Sequence, residues 1–135
     1  MRVHLLTTDT ALSEALGEAL GPETLATFTT PPDVLNHLLG NRDVPALLLL
    51  VDLATTPDAE RFLFFVASTP LRQIPILTIG PAKAYAKLSN EVLEYVLVTL
   101  RAPENAADVA LVVATLRAIL MEGAKRRPRK TPPGA

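Results

Sequence analysis

The sequence feature that most constrains the fold is an apolar run from Pro45 to Leu53, which shows no polar alternation and contains a single carboxylate, Asp52, near its end. A strand with one face in water alternates apolar and polar residues, whereas a strand covered by helices on both faces does not need to. The run is far too short to cross a bilayer. We therefore predict the central strand of a parallel sheet, with Asp52 at the carboxyl end, where open α/β sheets place their ligand sites.

Strand and helix signals alternate along the rest of the chain. Short apolar runs predict four more strands, at residues 3–6, 24–29, 74–79 and 95–100. Helical spacing between capping residues and Gly or Pro stops predicts five helices. These run from residue 9 or 10 to 20, from 30 to 40, from about 57 to about 69, from 81 to about 92, and from 103 to about 122. The alternation predicts a three-layer α/β/α sandwich of flavodoxin type, with a five-stranded parallel sheet in the order 2-1-3-4-5, because crossovers are right-handed.

Several predicted helix ends carry recognisable stop and start residues. Asp9 or Thr10 is expected to cap the first helix by accepting a hydrogen bond from an orphan N–H. The segments 30–33 and 55–58 repeat one start pattern, in which Thr caps, Pro enters the first turn and Asp meets the helix dipole. Gly123 is expected to close the last helix.

Charge is distributed unevenly, although the net charge is only −1. All 14 acidic residues precede residue 124. We expect one domain at residues 1–123 and a mobile, Pro-rich basic tail at 124–135, where Lys and Arg could neutralise nucleic-acid phosphates. The alternative is a solubilising tail or the stub of a linker. The basic residues of the tail are Lys125, Arg126, Arg127, Arg129 and Lys130.

Several kinds of chemistry are not expected from this sequence. The chain has no Cys, and its six Gly are too scattered for a dinucleotide-binding turn or a P-loop. His4 and His37 are isolated in sequence and are interpreted as structural residues. An early Asp argues against a secretory signal, and no apolar run reaches membrane-spanning length. We expect a cytoplasmic protein that is not an enzyme and has no metal or cofactor.

Four segments carry a family resemblance, at residues 5–12, 45–57, 74–77 and 95–104. Together they make residues 1 to about 122 similar to the receiver domains of two-component response regulators. The resemblance implies the CheY-like version of the predicted fold and a role in signal transduction. It also implies a site. Receivers that accept phosphate hold Mg²⁺ with two adjacent acidic residues after strand 1, and an Asp at the end of strand 3 accepts the phosphoryl group. They also have a Thr or Ser at the end of strand 4 and a Lys-Pro pair after strand 5.

Carried over to this chain, few of these side chains survive. The acidic pair falls on Thr7 and Thr8, with Asp9 next. The acceptor Asp falls on Val51 or, with a shift of one residue, on Asp52. The Thr or Ser at the end of strand 4 falls on Gly80. The Lys falls near residues 98–99, where there is no Lys, and Arg101 follows. Replacing two carboxylates by hydroxyls removes about two negative charges from a site for a hard dication. The sequence therefore favours a degenerate pseudo-receiver, and the alternative is a phosphorylatable response regulator that uses Asp52.

The last predicted helix has more apolar surface than one buried face requires. Its core face is expected at residues 109, 112, 113, 116, 119 and 120. A surface helix usually shows one apolar stripe, so a second stripe predicts contact with another chain. The alternative is that the Ala- and Leu-rich composition of the chain widens the apolar stripe of every helix, without any partner. The second stripe consists of Leu111, Ala114, Ala118 and Met121.

Three functional hypotheses follow from the sequence. The first is a degenerate receiver acting through protein contacts, for which the resemblance implies a homodimer through helix 4, strand 5 and helix 5. The second is a response regulator phosphorylated on Asp52. The third is a nucleic-acid-associated protein that binds through its basic tail.

Overall fold

The computed structural model describes residues 2–40 and 47–126, and within them it confirms the predicted sheet. The strands are β1 (Arg2–Leu6), β2 (Leu25–Phe28), β3 (Leu47–Asp52), β4 (Ile76–Gly80) and β5 (Val98–Arg101). All pair in parallel, in the order β2-β1-β3-β4-β5. This is the predicted flavodoxin-type sheet, with β3 at its centre.

Helices cover both faces of the sheet, which makes the three-layer sandwich. They are α1 (Thr10–Leu20), α2 (Pro31–Gly40), α3 (Ala59–Ala67), α4 (Ala82–Tyr85), α5 (Asn90–Leu93) and α6 (Ala106–Arg126), with a 3₁₀ turn at Pro70–Gln73. One apolar cluster packs α1 and α6 on one face of the sheet, and a second packs α2, α3 and α5 on the other.

The central strand is buried on both faces, as its unbroken apolar run predicts. Leu48 and Leu50 belong to the cluster under α1 and α6, whereas Leu49 and Val51 belong to the cluster under α2 and α3. All four side chains have an exposed fraction of 0%. Pro45, the start of the predicted strand, lies outside the described residues.

The third helix begins later than predicted, at Ala59 rather than near Pro57. Asp58 precedes it in the left-handed region, at φ 50°, and its side chain caps no N–H group. The predicted start pattern of the segment 55–58 is wrong in that neither threonine caps this helix, and the Thr55 hydroxyl instead donates to the carboxylate of Asp52.

The fourth predicted helix, from Pro81 to about Val92, is wrong as a single element because it is divided into α4 and α5. Ser89 interrupts it in an extended conformation and starts α5 by accepting a hydrogen bond from Val92 N at 3.2 Å. The N–H of Ser89 is turned away from the helix and donates to Glu60 Oε1 at 2.6 Å.

The last helix starts later and ends later than predicted. Asn105 Oδ1 accepts from Asp108 N at 2.9 Å, which fixes the start at Ala106 rather than Pro103. The helix continues past Gly123 to Arg126, so the predicted domain boundary at residue 123 falls inside it. A glycine costs a helix only about 1 kcal/mol, which does not stop it. The rest of the basic tail, from Arg127, lies outside the described residues.

Within residues 2–40 and 47–126, no helix combines the length and the apolar character needed to span a membrane.

Candidate functional site

The sheet topology brings Thr7 and Asp52 together at the carboxyl ends of its central strands. Leu6 is in register with Val51, so the residues that follow them are neighbours. Thr7 Oγ1 donates to Asp52 Oδ2 at 2.6 Å. Both side chains are buried, with exposed fractions of 2% and 4%. Asp52 is therefore an inward-facing carboxylate with a fixed partner.

The loop after β3 folds back and supplies two more donors to Asp52. Thr55 Oγ1 donates to Oδ2 at 3.1 Å, and Ala54 N donates to Oδ1 at 3.1 Å. Thr55 N and Thr56 N also donate to the Asp52 backbone carbonyl, at 3.3 and 3.0 Å. Both oxygens of the carboxylate are thus engaged by the chain itself.

The two hydroxyls also tie the loop after β1 to the carboxylate. Asp9 N donates to Thr7 Oγ1 at 2.9 Å, and Thr8 N donates to Thr55 Oγ1 at 3.1 Å. An ionised carboxylate only accepts, so each hydroxyl proton points at Asp52 while each hydroxyl oxygen accepts a backbone N–H. The result is a closed network of neutral donors around one negative charge.

Asp9 is a second carboxylate near this network, and its side chain caps a helix. Its Oδ1 accepts from Leu12 N at 3.2 Å, which confirms the predicted cap of α1. Asp9, Asp52 and Glu104 line the same shallow cavity of about 300 Å³. Among the described residues, no group of three or more His, Asp or Glu side chains is placed to hold a metal ion.

The strand ends of β4 and β5 bring no side chain to Asp52, although Glu104 and Asn105, further along the chain, line the same cavity. Gly80 ends β4, and a Cβ added there would lie 3.2 Å from Leu53 Cβ, so Leu53 occupies the space that a Thr or Ser would need. Arg101 is exposed at the end of β5 and does not line the cavity. Ala102 and Pro103 do line it. β5 runs from Val98 to Arg101 rather than from residue 95 to 100, so residues 98–99, where the resemblance places the lysine, lie inside the strand.

The cavity therefore does not fit a Mg²⁺ site. Mg²⁺ needs near-octahedral oxygen ligands, usually with one or two carboxylates free to bind it. Here the Asp52 carboxylate accepts three hydrogen bonds, and the Asp9 carboxylate caps α1. Thr7 and Thr55 bring neutral hydroxyls to the place where charge would be needed.

Tyr85 forms a second, partly buried network that the sequence did not predict. Its hydroxyl donates to the Leu100 carbonyl at 2.8 Å and lies 3.0 Å from Thr78 Oγ1. Burial raises the pKa of Tyr85 above its usual value of 10.0, with the bonds to Thr78 and Leu100 acting in the opposite direction. The side chain joins α4 to both β4 and β5. A lone Tyr in a helical pattern gives no signal of this contact.

His4 is fully buried in an aromatic cluster under α2. Its ring centroid lies 5.0 Å from that of His37 and 5.9 Å from that of Phe28. Within the described part of the chain, neither ring nitrogen of His4 has a well-formed hydrogen bond. Burial first, and the nearby His37 and Arg2 second, lower the pKa of His4 from 6.5 to about 4.

The last helix presents its two predicted stripes to different surroundings. Val112, Val113, Leu116 and Leu120 are buried in the core, with Val109 and Ile119 packed beside them, as predicted. The second stripe is exposed: Leu111 has an exposed fraction of 68% and Met121 of 56%. Ala114 and Ala118 are also exposed.

Comparison with known proteins finds relatives by structure rather than by sequence. No family model matches the chain, and no curated protein matches it in sequence. A signal receiver domain of an HD domain-containing protein from Pseudomonas fluorescens has a TM-score of 0.67 at 22% identity, over 95% of this chain and 92% of that one. A CheY-like receiver domain from Methylobacillus flagellatus has a TM-score of 0.62 at 16% identity, over 86% and 98%.

A third structure belongs to a protein described as a redox sensor of the streptococci that evolved from two-component response regulators. Its TM-score is 0.72 at 17% identity, over 97% of this chain and 55% of that one. These identities are low, and what the three structures share with this chain is architecture. The structural neighbours of this protein are response-regulator receiver domains, and the chain has their CheY-like fold.

Proposed function

We propose that this protein is an atypical receiver domain that works in signalling through contacts with other proteins, without Mg²⁺-dependent phosphorylation. The observation that carries the proposal is the set of three hydrogen bonds on Asp52, from the hydroxyls of Thr7 and Thr55 and from Ala54 N. These bonds give the carboxylate a structural task, which is to hold the loops after β1 and β3 together.

Phosphoryl transfer to Asp52 would need a free carboxylate oxygen and nearby positive charge. Cations neutralise the charge on the transferred group, and they are a large part of how such reactions are accelerated. Each hydrogen bond to a charged group is worth about 1.5–3 kcal/mol, so releasing an oxygen of Asp52 is costly. Ala102, which follows β5 and lines the cavity, brings no charge to it.

The similarity to the streptococcal redox sensor supports a signalling role of another kind. That protein is described as having evolved from response regulators, so this architecture has been kept for sensing other inputs. For this chain we propose regulation without catalysis. We place it in the cytoplasm, where receiver domains meet their partners.

The exposed stripe of α6 is the surface that we propose for these contacts. Leu111 and Met121 are more than half exposed, and with Ala114 and Ala118 they recur at helical spacing along one side of the helix. Exposed apolar stripes of this kind mark protein interaction sites. A second copy of the chain is the simplest partner, because a two-fold pairing needs only one self-complementary surface.

The decisive experiment treats the full chain with acetyl phosphate and Mg²⁺ and measures its intact mass. We expect no added phosphoryl group, with a phosphorylatable receiver domain as the positive control. A mass increase that needs Mg²⁺ and is lost in Asp52→Asn would contradict the proposal. It would support the second candidate, a phosphorylatable regulator, which the position of Asp52 at the end of β3 favours.

The nucleic-acid hypothesis depends on the basic tail and stays a prediction. It expects a gel shift of the full chain that weakens steeply with salt, because Lys and Arg displace condensed counterions. Removal of residues 124–135, which carry all five basic side chains of the tail, should abolish that shift. A shift that survives this truncation would place the binding surface elsewhere.

A further inference from the structure

The exposed stripe of α6 has the residue spacing of a coiled-coil helix. Leu111, Ala114, Ala118 and Met121 follow one another at steps of three, four and three residues, and all four side chains are exposed. A helix whose apolar residues recur about every 3.5 positions packs lengthwise against another helix. The two middle residues are alanines, which let the axes of two helices approach closely. The stripe therefore matches the side of another helix.

A second copy of α6 fits the stripe in either of two orientations. If the two helices run antiparallel, Leu111 lies opposite the partner's Met121, and Ala114 lies opposite the partner's Ala118. If they run parallel, each of these residues lies opposite its own counterpart. Both pairs are two-fold symmetric, and in both of them large side chains meet large ones and small side chains meet small ones. Packing does not choose between the orientations, so the choice falls to charge.

The two ends of α6 have opposite charge. Glu104 and Asp108 lie at its start. After Glu122, five of the six residues 125–130 are Lys or Arg, and we call these six residues the basic segment. A parallel pair brings two basic segments together, whereas an antiparallel pair sets each basic segment beside the acidic start of the other helix. Coulomb attraction therefore favours the antiparallel pair.

The charges along the middle of α6 oppose this orientation only weakly. An antiparallel pair sets Arg117 against its own counterpart and Asp108 near the partner's Glu122, whereas a parallel pair lets Arg117 meet the partner's Glu122. Arg117 and Glu122 are exposed, and exposed charge pairs contribute little. Arg117 is also directed towards α1, because its guanidinium donates to the Ala19 carbonyl at 2.8 Å. The five charges of each basic segment outweigh this flanking pair.

The cavity at the start of α6 is acidic. Its charged lining residues are Asp9, Asp52 and Glu104, and none of the described residues that line it is basic. Asp9 and Glu104 are exposed, so a cation can approach them from outside. Of the 13 basic residues of the chain, five lie in the basic segment, which leaves 8 against 14 acidic ones in the rest of the chain. The basic segment is the complement of this acidic surface.

Chain length decides which copy's basic segment reaches the cavity. α6 has 21 residues and is about 30 Å long, with the cavity at its start and the basic segment at its end. Lys130 follows Arg126 by four positions, or about 14 Å of extended chain, so it does not reach the cavity of its own copy. In the antiparallel pair, Arg126 lies opposite the partner's Ala106, two residues from the partner's Glu104.

We propose that two copies of this chain pair through antiparallel α6 helices, and that the basic segment of each copy lies across the acidic cavity of the other. The inference rests on the α6 contact surface of the proposed function, to which it adds an orientation and a second contact. Each copy then receives from its partner the positive charge that the lining of its own cavity lacks.

Cysteine pairing tests the orientation, because the chain has no cysteine of its own. Full chains with Leu111→Cys and with Met121→Cys, both at exposed positions, are mixed in the reduced state and then oxidised mildly at micromolar concentration. Intact mass distinguishes the products. We expect the disulfide between the two different chains to exceed each disulfide between identical chains at least tenfold, since only antiparallel helices bring positions 111 and 121 together.

The other outcomes separate this inference from the proposed function. Disulfides mainly between identical chains mean a parallel pair, which overturns the inference and leaves the α6 contact surface standing. Absence of any disulfide, together with a monomeric wild type, overturns both.

Charge reversal tests the contact between the basic segment and the cavity. Glu104→Lys should weaken the dimer about tenfold in sedimentation equilibrium, because it sets a positive charge against the partner's basic segment. Glu94→Lys is the matched control, since Glu94 is exposed and follows α5, which packs on the opposite face of the sheet from α6. An equal loss in both variants, or none in Glu104→Lys, overturns the proposed contact.

A compensating change separates this contact from a structural role of Glu104. Adding Arg127→Glu, Arg129→Glu and Lys130→Glu to Glu104→Lys should recover most of the lost dimer affinity, because attraction is restored with the signs exchanged. The same three changes in the wild type should weaken the dimer as Glu104→Lys does. A combined variant that is no better than Glu104→Lys shows that the basic segment does not meet Glu104, and the proposal fails.

Discussion

Thr7 donates its hydroxyl proton to Asp52 across 2.6 Å, and this contact joins the carboxyl ends of β1 and β3 inside the protein. The same hydroxyl accepts from Asp9 N, so the start of α1 is held through it as well. Two adjacent strands and the following helix thereby share one polar side chain. A threonine suits this task, since it brings a donor and an acceptor but no charge.

The first prediction is that Thr7→Val destabilises the protein by about 1.5–3 kcal/mol, because a buried carboxylate loses a hydrogen bond and Asp9 N loses its acceptor. The control is Thr8→Val, since Thr8 is exposed and contributes to the network only through its backbone N–H. Urea denaturation of both variants measures the difference. Equal stability of the two would mean that the contact with Asp52 contributes nothing.

The second prediction concerns the hydroxyl of Tyr85. Tyr85→Phe leaves the Leu100 carbonyl and the buried Thr78 hydroxyl without their partner, which should cost about 1–3 kcal/mol. Tyr95→Phe is the matched control, because Tyr95 is 46% exposed and keeps its edge contact with Phe64 as a phenylalanine. Adding Thr78→Val to Tyr85→Phe should recover part of the loss, and a fully additive double variant would argue against direct coupling.

The third prediction tests whether the end of β4 has room for a serine side chain in place of Gly80. Gly80→Ser should destabilise the protein by about 1–3 kcal/mol, because its Cβ would press against Leu53. Gly17→Ala is the control, since its added Cβ meets Leu25 at an ordinary 3.8 Å. That change should be neutral or stabilising, because alanine favours a helix over glycine. A Gly80→Ser protein as stable as the wild type would mean that Leu53 moves aside freely.

The fourth prediction is that stability falls as the pH is lowered, because of His4. The pKa of His4 is about 4 in the folded protein, against its ordinary 6.5. Between pH 6.5 and pH 4, His4 binds a proton in the unfolded chain but not in the folded protein. The free energy of unfolding therefore decreases as the pH falls from 6.5 towards 4. Since one pKa unit corresponds to about 1.4 kcal/mol, the loss amounts to at most about 3.5 kcal/mol.

The measurement for His4 is urea denaturation at several pH values for the wild type and His4→Leu. The leucine variant should lose less stability than the wild type on going from pH 6.5 to pH 4.5, whereas carboxyl groups affect both equally. His37→Asn keeps His4 and should retain most of the wild-type pH dependence. Parallel curves for the wild type and His4→Leu would refute the assignment.

Much of the architecture could be predicted because its signals are local in sequence. Leu48 to Val51 predicted a strand covered on both faces, and all four residues are fully buried. Asp9 predicted the cap of α1, since an Asp before a helix bonds an N–H three residues away. Helix boundaries were less secure where two signals compete, as at Ser89, which starts a new helix inside an apolar repeat.

The site was less predictable because its contacts join distant parts of the chain. The segment 55–58 has the start pattern of a helix, but in the folded protein it belongs to a loop that turns back on Asp52, and only the folded sheet brings Thr55 to that carboxylate. Ala102 could not be placed at the cavity without knowing where β5 ends. Tyr85, at the end of α4, donates a hydrogen bond to the carbonyl of Leu100 in β5, and no sequence spacing specifies that contact.

The last prediction is that the exposed stripe of α6 makes the protein a dimer at micromolar concentration. Leu111 is 68% exposed, and covering it in a partner would remove apolar surface from water at about 25 cal/mol per Å². Leu111→Glu places a charge in that contact and should give a monomer in sedimentation equilibrium. Leu39→Glu is the matched control, because Leu39 is an exposed leucine on α2, away from the stripe. A wild type that stays monomeric, or a dimer that survives Leu111→Glu but not Leu39→Glu, would move the interface away from α6.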